Sequence, residues 1–187
     1  MDFISWDENL FLYLNNLGTS QWDAFWLFIT NKKSWIPLYL VFAFFIYKKF
    51  GSKKLMITLA LAGLMILFTD QISRFYKDIL IQRPRPCKNM ELLPYMRLVR
   101  DTCGGQFGFF SGHATNHFAV AVFVGMIFRQ SKWVLPVLLV WAGAIAFSRV
   151  YIGVHYPLDI ASGTLIGVLF GILFYRFWEM AIAKMRN

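Results

Sequence analysis

Acidic side chains are scarce in this chain: 10 Asp and Glu face 19 Lys and Arg among 187 residues, for a formal charge of +9. Charge of either sign is scarce as well, at 16%, where soluble domains carry roughly 25%. Only 2 Cys and 13 Gly are present. Two cysteines exclude a disulfide-dense secreted scaffold, and so few glycines exclude a collagen-like repeat. Low charge together with 19% aromatics excludes a disordered chain. What is abundant is apolar surface, at 58% of residues. One domain of this length can bury a sizeable core, but a soluble fold would leave much of that surface in water. The composition therefore points to a polytopic membrane protein, 1–187, as a single domain. In a soluble chain a charge of +9 would suggest nucleic acid. Here no nucleic acid is expected, and the excess reads as loop charge and an anionic ligand.

Apolar runs occur at Trp35–Tyr47, Leu55–Thr69, Phe118–Phe128, Trp133–Phe147 and Ile160–Tyr175. Each falls short of the roughly 20 residues that cross a bilayer, and each is lengthened by its flanks. Five helical spans are expected, the first beginning near Trp22, with Asn31–Ser34 as a polar interruption and Pro37 as a kink. The segment Asp7–Asn16 reads as an amphipathic interfacial helix within residues 1–21, its Leu10, Phe11, Leu14 and Leu17 set against Asp7, Glu8, Asn15 and Asn16. Were it to cross, the spans would number six. Asp2, Asp7 and Glu8 replace the basic region of a cleavable signal peptide, so none is expected. Trp6, Trp22, Trp35, Trp133 and Trp178 are placed for an aromatic belt, and Asp70 for a pair with Arg74.

Lys48, Lys49, Lys53, Lys54, Arg129, Lys132, Lys184 and Arg186 fall by alternation on one face. The positive-inside rule makes that face cytoplasmic. The opposite face receives three polar clusters. The first, Lys77 to Pro86, crowds Lys77, Arg83 and Arg85 at the mouth of an apolar helix; alone it could equally anchor lipid heads. The second, Phe109 to Thr115, holds Ser111 as N-cap, Gly112 for close ligand approach and His113 at a helix start that suits an anion. The third ends a span with Ser148 and Arg149 and sets His155 four residues before Asp159. On a helix Asp159 would accept one imidazole N–H and leave the other nitrogen free as a nucleophile. Together the clusters offer guanidinium, ammonium and backbone N–H groups for phosphate, with a nucleophile and an acid. They suit a metal poorly, and no metal or other cofactor is expected.

These residues resemble the type 2 phosphatidic acid phosphatase family, whose site is shared with vanadium-dependent haloperoxidases. The family's motifs are K-x6-RP, PSGH and SR-x5-H-x3-D. The third matches in full at Ser148, Arg149, His155 and Asp159. The second reads Phe110-Ser111-Gly112-His113, with Phe for Pro. In the first, seven residues separate Lys77 from Arg85 and five separate it from Arg83, where the family has six. A one-residue bulge would restore the geometry, and Arg85 is favoured over Arg83 because similar sequences with a double Arg-Pro usually align the second.

The resemblance implies an all-α transmembrane bundle with an acid phosphatase/vanadium haloperoxidase-like core and a site at one membrane boundary, in the cell (inner) membrane with the site extracytoplasmic. It implies that His155 attacks phosphorus, Asp159 orients it, and His113 protonates the leaving oxygen. Lys77, Arg85, Arg149, Ser111 and Gly112, with Arg83 as the other candidate, would hold the phosphate. The expected substrate is a lipid phosphate, with a polyprenyl pyrophosphate or a glycerolipid phosphate such as phosphatidic acid or phosphatidylglycerophosphate ranked first and lipid A phosphates also qualifying. The alternative is a transporter or scramblase that binds such lipids without cleaving them; haloperoxidase chemistry would require vanadate. Residues 87–110 are expected to form a lid in which Glu91, Tyr95, Arg97, Arg100 and Asp101 meet the headgroup. Cys87 and Cys103 would pair there in an oxidising compartment.

Overall fold

A computed structural model describes residues 3–100 and 102–185; the readings placed on Asp2, Asp101 and Arg186 lie outside the described residues. Its helices are α1 (Phe3–Asn16), α2 (Ser20–Thr30), α3 (Ile36–Phe50), α4 (Ser52–Phe75), α5 (Gly112–Ile127), α6 (Val134–Tyr151) and α7 (Pro157–Lys184). A π-helical turn, Tyr76–Leu80, continues α4. Apolar side chains point outward along the bundle: Leu40 and Phe44 on α3, Leu64 and Leu67 on α4, Val137 and Val140 on α6, Leu165 and Leu169 on α7. Such faces are costly in water and free of cost in lipid. α4 with its extension, α6 and α7 are each long and apolar enough to cross a membrane. The fold is an all-helical membrane bundle.

α5 is its axis. Ala114, Ala119, Ala121, Phe123 and Ile127 are buried on several sides of that helix, as expected of a helix apolar all round. Its closest neighbour is α7, and the reason is a stripe of glycines, Gly163, Gly167 and Gly171, spaced one turn apart. A Cβ on Gly163 would meet the Ser111 carbonyl at 2.7 Å, and one on Gly171 the Ala119 carbonyl at 2.8 Å. Without those side chains the two backbones come together, which is how small residues join helices in lipid. The contact sets the N-terminal ends of α5 and α7 side by side.

The interruption at Asn31–Ser34 is a 3₁₀ turn, Lys32–Trp35, between α2 and α3. Asn31 Oδ1 accepts the Lys33 N–H at 3.0 Å, and Trp35 Nε1 donates to the Ile29 carbonyl at 2.9 Å. Pro37 lies in the first turn of α3, where no hydrogen bond is lost, so it starts that helix rather than kinking it.

Two readings are corrected. The buried stripe of α1 is Asp7, Phe11 and Asn15, so much of its polar face turns inward while Phe3, Trp6, Tyr13 and Leu17 are exposed. Packing against polar backbone outweighs the apolar moment here: Asn15 Nδ2 donates to the carbonyls of Arg97, Val150 and Tyr151 at 2.9–3.1 Å. Trp35 and Trp178 belong to the core rather than to a belt. Trp35 meets Trp141 edge-on at 5.5 Å, and Trp178 Nε1 donates to Thr58 at 2.8 Å.

Lys49, Lys54 and Arg129 collect at one end. Lys49 Nζ donates to Gln130 at 3.1 Å, and Arg129 pairs with Glu179 at 3.5 Å, tying the α3–α4 turn, the α5–α6 loop and the end of α7 together.

Candidate active site

At the opposite end, the last residues of α4 and α6 meet the first residues of α5 and α7 around a cavity of about 290 Å³. Lys77, Arg85, Gly112, His113, Arg149 and His155 line it, with Lys32, Asp70, Ser73, Arg74, Arg100 and Thr102. The three sequence clusters thus open on one chamber.

His155 sits in the turn that joins α6 to α7. The Arg149 carbonyl closes that turn by accepting the N–H groups of Val154 at 3.0 Å and His155 at 3.3 Å. His155 Nδ1 lies 3.1 Å from Asp159 Oδ2, and both side chains are almost fully buried. Asp159 Oδ2 also accepts the Tyr156 N–H at 3.1 Å, and its carbonyl accepts the Ser111 N–H at 3.0 Å. One residue therefore orients the imidazole, caps α7 and ties it to α5. With Nδ1 facing a carboxylate, Nδ1 carries the proton and Nε2 keeps its lone pair. Gly108 closes in on the pair: a Cβ there would stand 3.1 Å from Asp159 Oδ2 and 3.2 Å from Arg85 Cγ.

Burial, and then the charges of Arg149, Arg85 and Lys77, hold the His155 imidazole well below its ordinary value. It is neutral in the folded protein. An unfolded chain takes up this proton near pH 6.5, so below that pH the unfolded state binds more protons and stability falls with acidification. The expected result is a melting temperature that drops between pH 7.5 and pH 5, with a shallower drop in His155→Ala. The difference should reach on the order of 1 kcal/mol per pH unit. Parallel slopes in thermal unfolding would contradict it.

Lys77 stands on the π-helical turn, where the Ile81 N–H reaches the Tyr76 carbonyl at 2.8 Å. That i→i+5 closure takes in one more residue than an α-turn. It accommodates the seven-residue gap between Lys77 and Arg85 where six are usual. Arg85 reaches the cavity on a loop folded back on itself, with Nε donating to the Phe107 carbonyl at 3.1 Å and Nη1 to the Cys103 carbonyl at 3.3 Å. Cys87 and Cys103 are disulfide-bonded, their Cα atoms 5.8 Å apart. Burial first, then nearby Arg100, lowers the Arg85 guanidinium from its ordinary value, and Asp159 opposes both.

Arg83 does not line the cavity. Its Nη1 bonds Asp7 Oδ2 at 2.5 Å and its guanidinium lies 3.7 Å from the centre of the Tyr156 ring. Asp7 Oδ1 accepts the Leu158 N–H at 2.9 Å, so α1 and Arg83 together hold the start of α7. The two arginines should separate in a mutational test. Arg83→Ala leaves the buried Asp7 carboxylate unpaired and should cost about 3 kcal/mol of stability. Arg85→Ala should melt near the parent temperature but lose most turnover. Equal melting temperatures for the two variants would contradict this division.

Ser111 caps α5, its Oγ accepting the Ala114 N–H at 3.4 Å, and the Gly112 Cβ position lies 3.8 Å from Lys77 Nζ. Arg149 is buried, with Nη1 donating to Thr30 Oγ1 at 2.7 Å. Asp70 accepts from Asn116 Nδ2 at 2.8 Å; among the described residues Arg74 is not its salt-bridge partner, a further correction to the reading. Of the lid residues, Arg100 lines the cavity, while Arg97 bonds both Asp23 oxygens at 3.0 Å and serves the scaffold. Glu91 and Tyr95 are exposed. Sequence reasoning missed Lys32. The polar interruption between two apolar helices was the available signal.

The PAP2 superfamily profile matches residues 53–183. The lipid A 4′-phosphatase of Porphyromonas gingivalis is 32% identical over 178 residues, covering 95% of this chain and 75% of that protein. The lipid A 4′-phosphatase of Bacteroides thetaiotaomicron is 32% identical over 183 residues, covering 97% of this chain and 80% of that protein. Among solved structures, a transmembrane PAP2-type phosphatidylglycerolphosphate phosphatase from Bacillus subtilis has the same fold, with a TM-score of 0.71 at 22% identity over 94% of this chain and 86% of that one. The long profile match and the near full-length relatives agree with the arrangement of the helices, and the chain belongs to the PAP2 superfamily.

Proposed function

We propose that this membrane lipid phosphatase works through a phosphohistidine on His155 and that its substrate is the 4′-phosphate of lipid A. The observation that carries the mechanism is the buried His155–Asp159 pair opening on a chamber lined by Lys77, Arg85 and Arg149, with His113 on the same chamber. His155 Nε2 forms the bond to phosphorus as the bond to the leaving oxygen breaks, and His113 gives that oxygen a proton. Water then attacks phosphorus, His113 takes its proton, the P–N bond breaks, and inorganic phosphate departs. Lys77, Arg85, Arg149 and the backbone at Ser111–Gly112 meet the charge of the pentavalent state. These cations supply electrostatic stabilisation from the protein itself, so activity should persist in chelator.

The substrate follows from the 32% identity to two lipid A 4′-phosphatases over nearly the whole chain. On that identity we rank lipid A ahead of the polyprenyl pyrophosphates and glycerolipid phosphates, which the sequence had placed first. We place the lysine-rich end in the cytoplasm and the site on the extracytoplasmic face of the inner membrane. The positive-inside rule and the disulfide support that orientation. α1 lies at the membrane interface, and residues 87–110 form the lid over the bound headgroup.

The test is phosphate release in detergent from lipid A 4′-phosphate, undecaprenyl pyrophosphate, phosphatidylglycerophosphate and phosphatidic acid. Lipid A should give the highest kcat/KM. Lipid movement across vesicles with no phosphate release from any of the four would instead identify a carrier.

A further inference from the structure

A second cavity, of about 480 Å³, adjoins the first, and His113, Lys32 and Arg100 line both. His155 lines only the first. The second chamber adds Leu27, Thr30, Asn31 and Lys33. It is built rather than incidental: Thr30 holds Arg149, and the Asn31 side chain fixes the turn that carries Lys32 and Lys33.

In phosphoryl transfer the attacking and leaving groups lie roughly in line, on opposite sides of phosphorus. With His155 as nucleophile and His113 as the acid, the leaving group departs on the side of His113. The chamber that contains His113 and lacks His155 is on that side. Lys32, Lys33 and Arg100 line it, and no carboxylate does among the described residues. A neutral alcohol leaving group would give these cations only ordinary hydrogen bonds, whereas one that carries an anion would meet them with charge-assisted ones.

We propose that this chamber is a leaving-group subsite that binds a second anion carried by the part of the substrate that departs. The inference rests on the roles given above to His155 and His113. It sharpens the substrate class to lipid phosphates whose leaving group is itself acidic. Two chemistries meet that description: the inner phosphate of a diphosphate, and the carboxylate of an acidic sugar beside the phosphate of lipid A. Both would be met by charge-assisted bonds from ammonium and guanidinium groups.

The experiment compares Lys32→Gln, Lys33→Gln and Arg100→Gln on two substrate pairs. The first is undecaprenyl diphosphate against undecaprenyl monophosphate. The second is 4′-phosphorylated lipid A with an attached acidic sugar against the same lipid without it. Each variant should lose roughly tenfold in kcat/KM on the doubly anionic member of at least one pair. On its partner the loss should be no more than about threefold for Lys33→Gln, whose side chain lines the second chamber alone, while Lys32→Gln and Arg100→Gln, which line both, should lose more on both members and most on the doubly anionic one. Discrimination in the diphosphate pair names phosphate as the second anion, and in the lipid A pair carboxylate. Equal losses on both members of both pairs would overturn the proposal and leave these cations as a general attraction for anionic lipid. Thermal unfolding of each variant separates these outcomes from loss of fold. A phosphoenzyme measurement on the parent separates them from failure of the His155 mechanism, which would show no phosphoenzyme with any substrate.

Discussion

His155→Ala is expected to lower phosphate release from lipid substrates by a factor on the order of 10⁴ or more, the size of loss seen when a covalent nucleophile is removed. The variant should fold. His155 is nearly fully buried, but the turn that holds it is closed by backbone bonds to the Arg149 carbonyl that an alanine keeps. Asp159 retains its bonds to the Tyr156 N–H and, through its carbonyl, to the Ser111 N–H. The chamber keeps its cations, so the variant should still bind lipid phosphate. Loss of turnover with retained binding separates a nucleophile from a structural histidine, whose removal would impair both. Asp159→Asn tests the neighbouring claim. Its amide can donate as well as accept, so the tautomer of His155 is no longer fixed, and turnover should fall with little change in substrate affinity.

Gly167→Leu is expected to be the most damaging change outside the chamber. A Cβ at Gly167 would meet the Phe118 Cβ at 3.0 Å and press on the backbone of Thr115. Neither is the free end of a side chain, so α5 and α7 must move apart. Overpacking of this kind costs about 1–3 kcal/mol, occasionally more. Catalysis should suffer further, because the same contact sets the start of α5 against α7, where the Ser111 N–H meets the Asp159 carbonyl at 3.0 Å. We expect less than a tenth of parental turnover and a clearly lowered melting temperature. Gly143→Ala is the control. Nothing lies within 4 Å of a Cβ at that position, so that variant should match the parent in both measurements.

The membrane bundle was legible because lipid selects for outward apolar residues on the outer helices and α5 is apolar on its buried sides, so the sequence shows five apolar runs. The His155–Asp159 pairing was legible from its four-residue interval, although the helix expected to begin at His155 starts only at Pro157, so His155 stands in the preceding turn and meets Asp159 from there. The Lys77–Arg85 interval was legible only as a misfit, since a π-turn leaves no mark of its own in the side chains. Arg83 and Asp7 lie far apart in sequence and are joined by the docking of α1, which periodicity cannot foresee. The same docking explains why Asp7 and Asn15, two of the four polar residues in the amphipathic reading of α1, turn inward. Lys32 escaped notice because its role depends on where a short turn lands relative to α5. The glycine stripe of α7 went unread, because the close approach to α5 that gives it meaning is a property of the packed helices.

The central claim is that phosphate passes through His155. The direct measurement is rapid acid-free quenching of the enzyme during turnover of ³²P-labelled lipid A 4′-phosphate, followed by peptide mapping of the label. The account predicts an acid-labile, base-stable phosphate on the peptide that contains His155, absent in His155→Ala and accumulating in His113→Ala when the leaving group needs no proton. Steady turnover by the parent with no protein-bound phosphate at any quench time, or with label on a different residue, would contradict it.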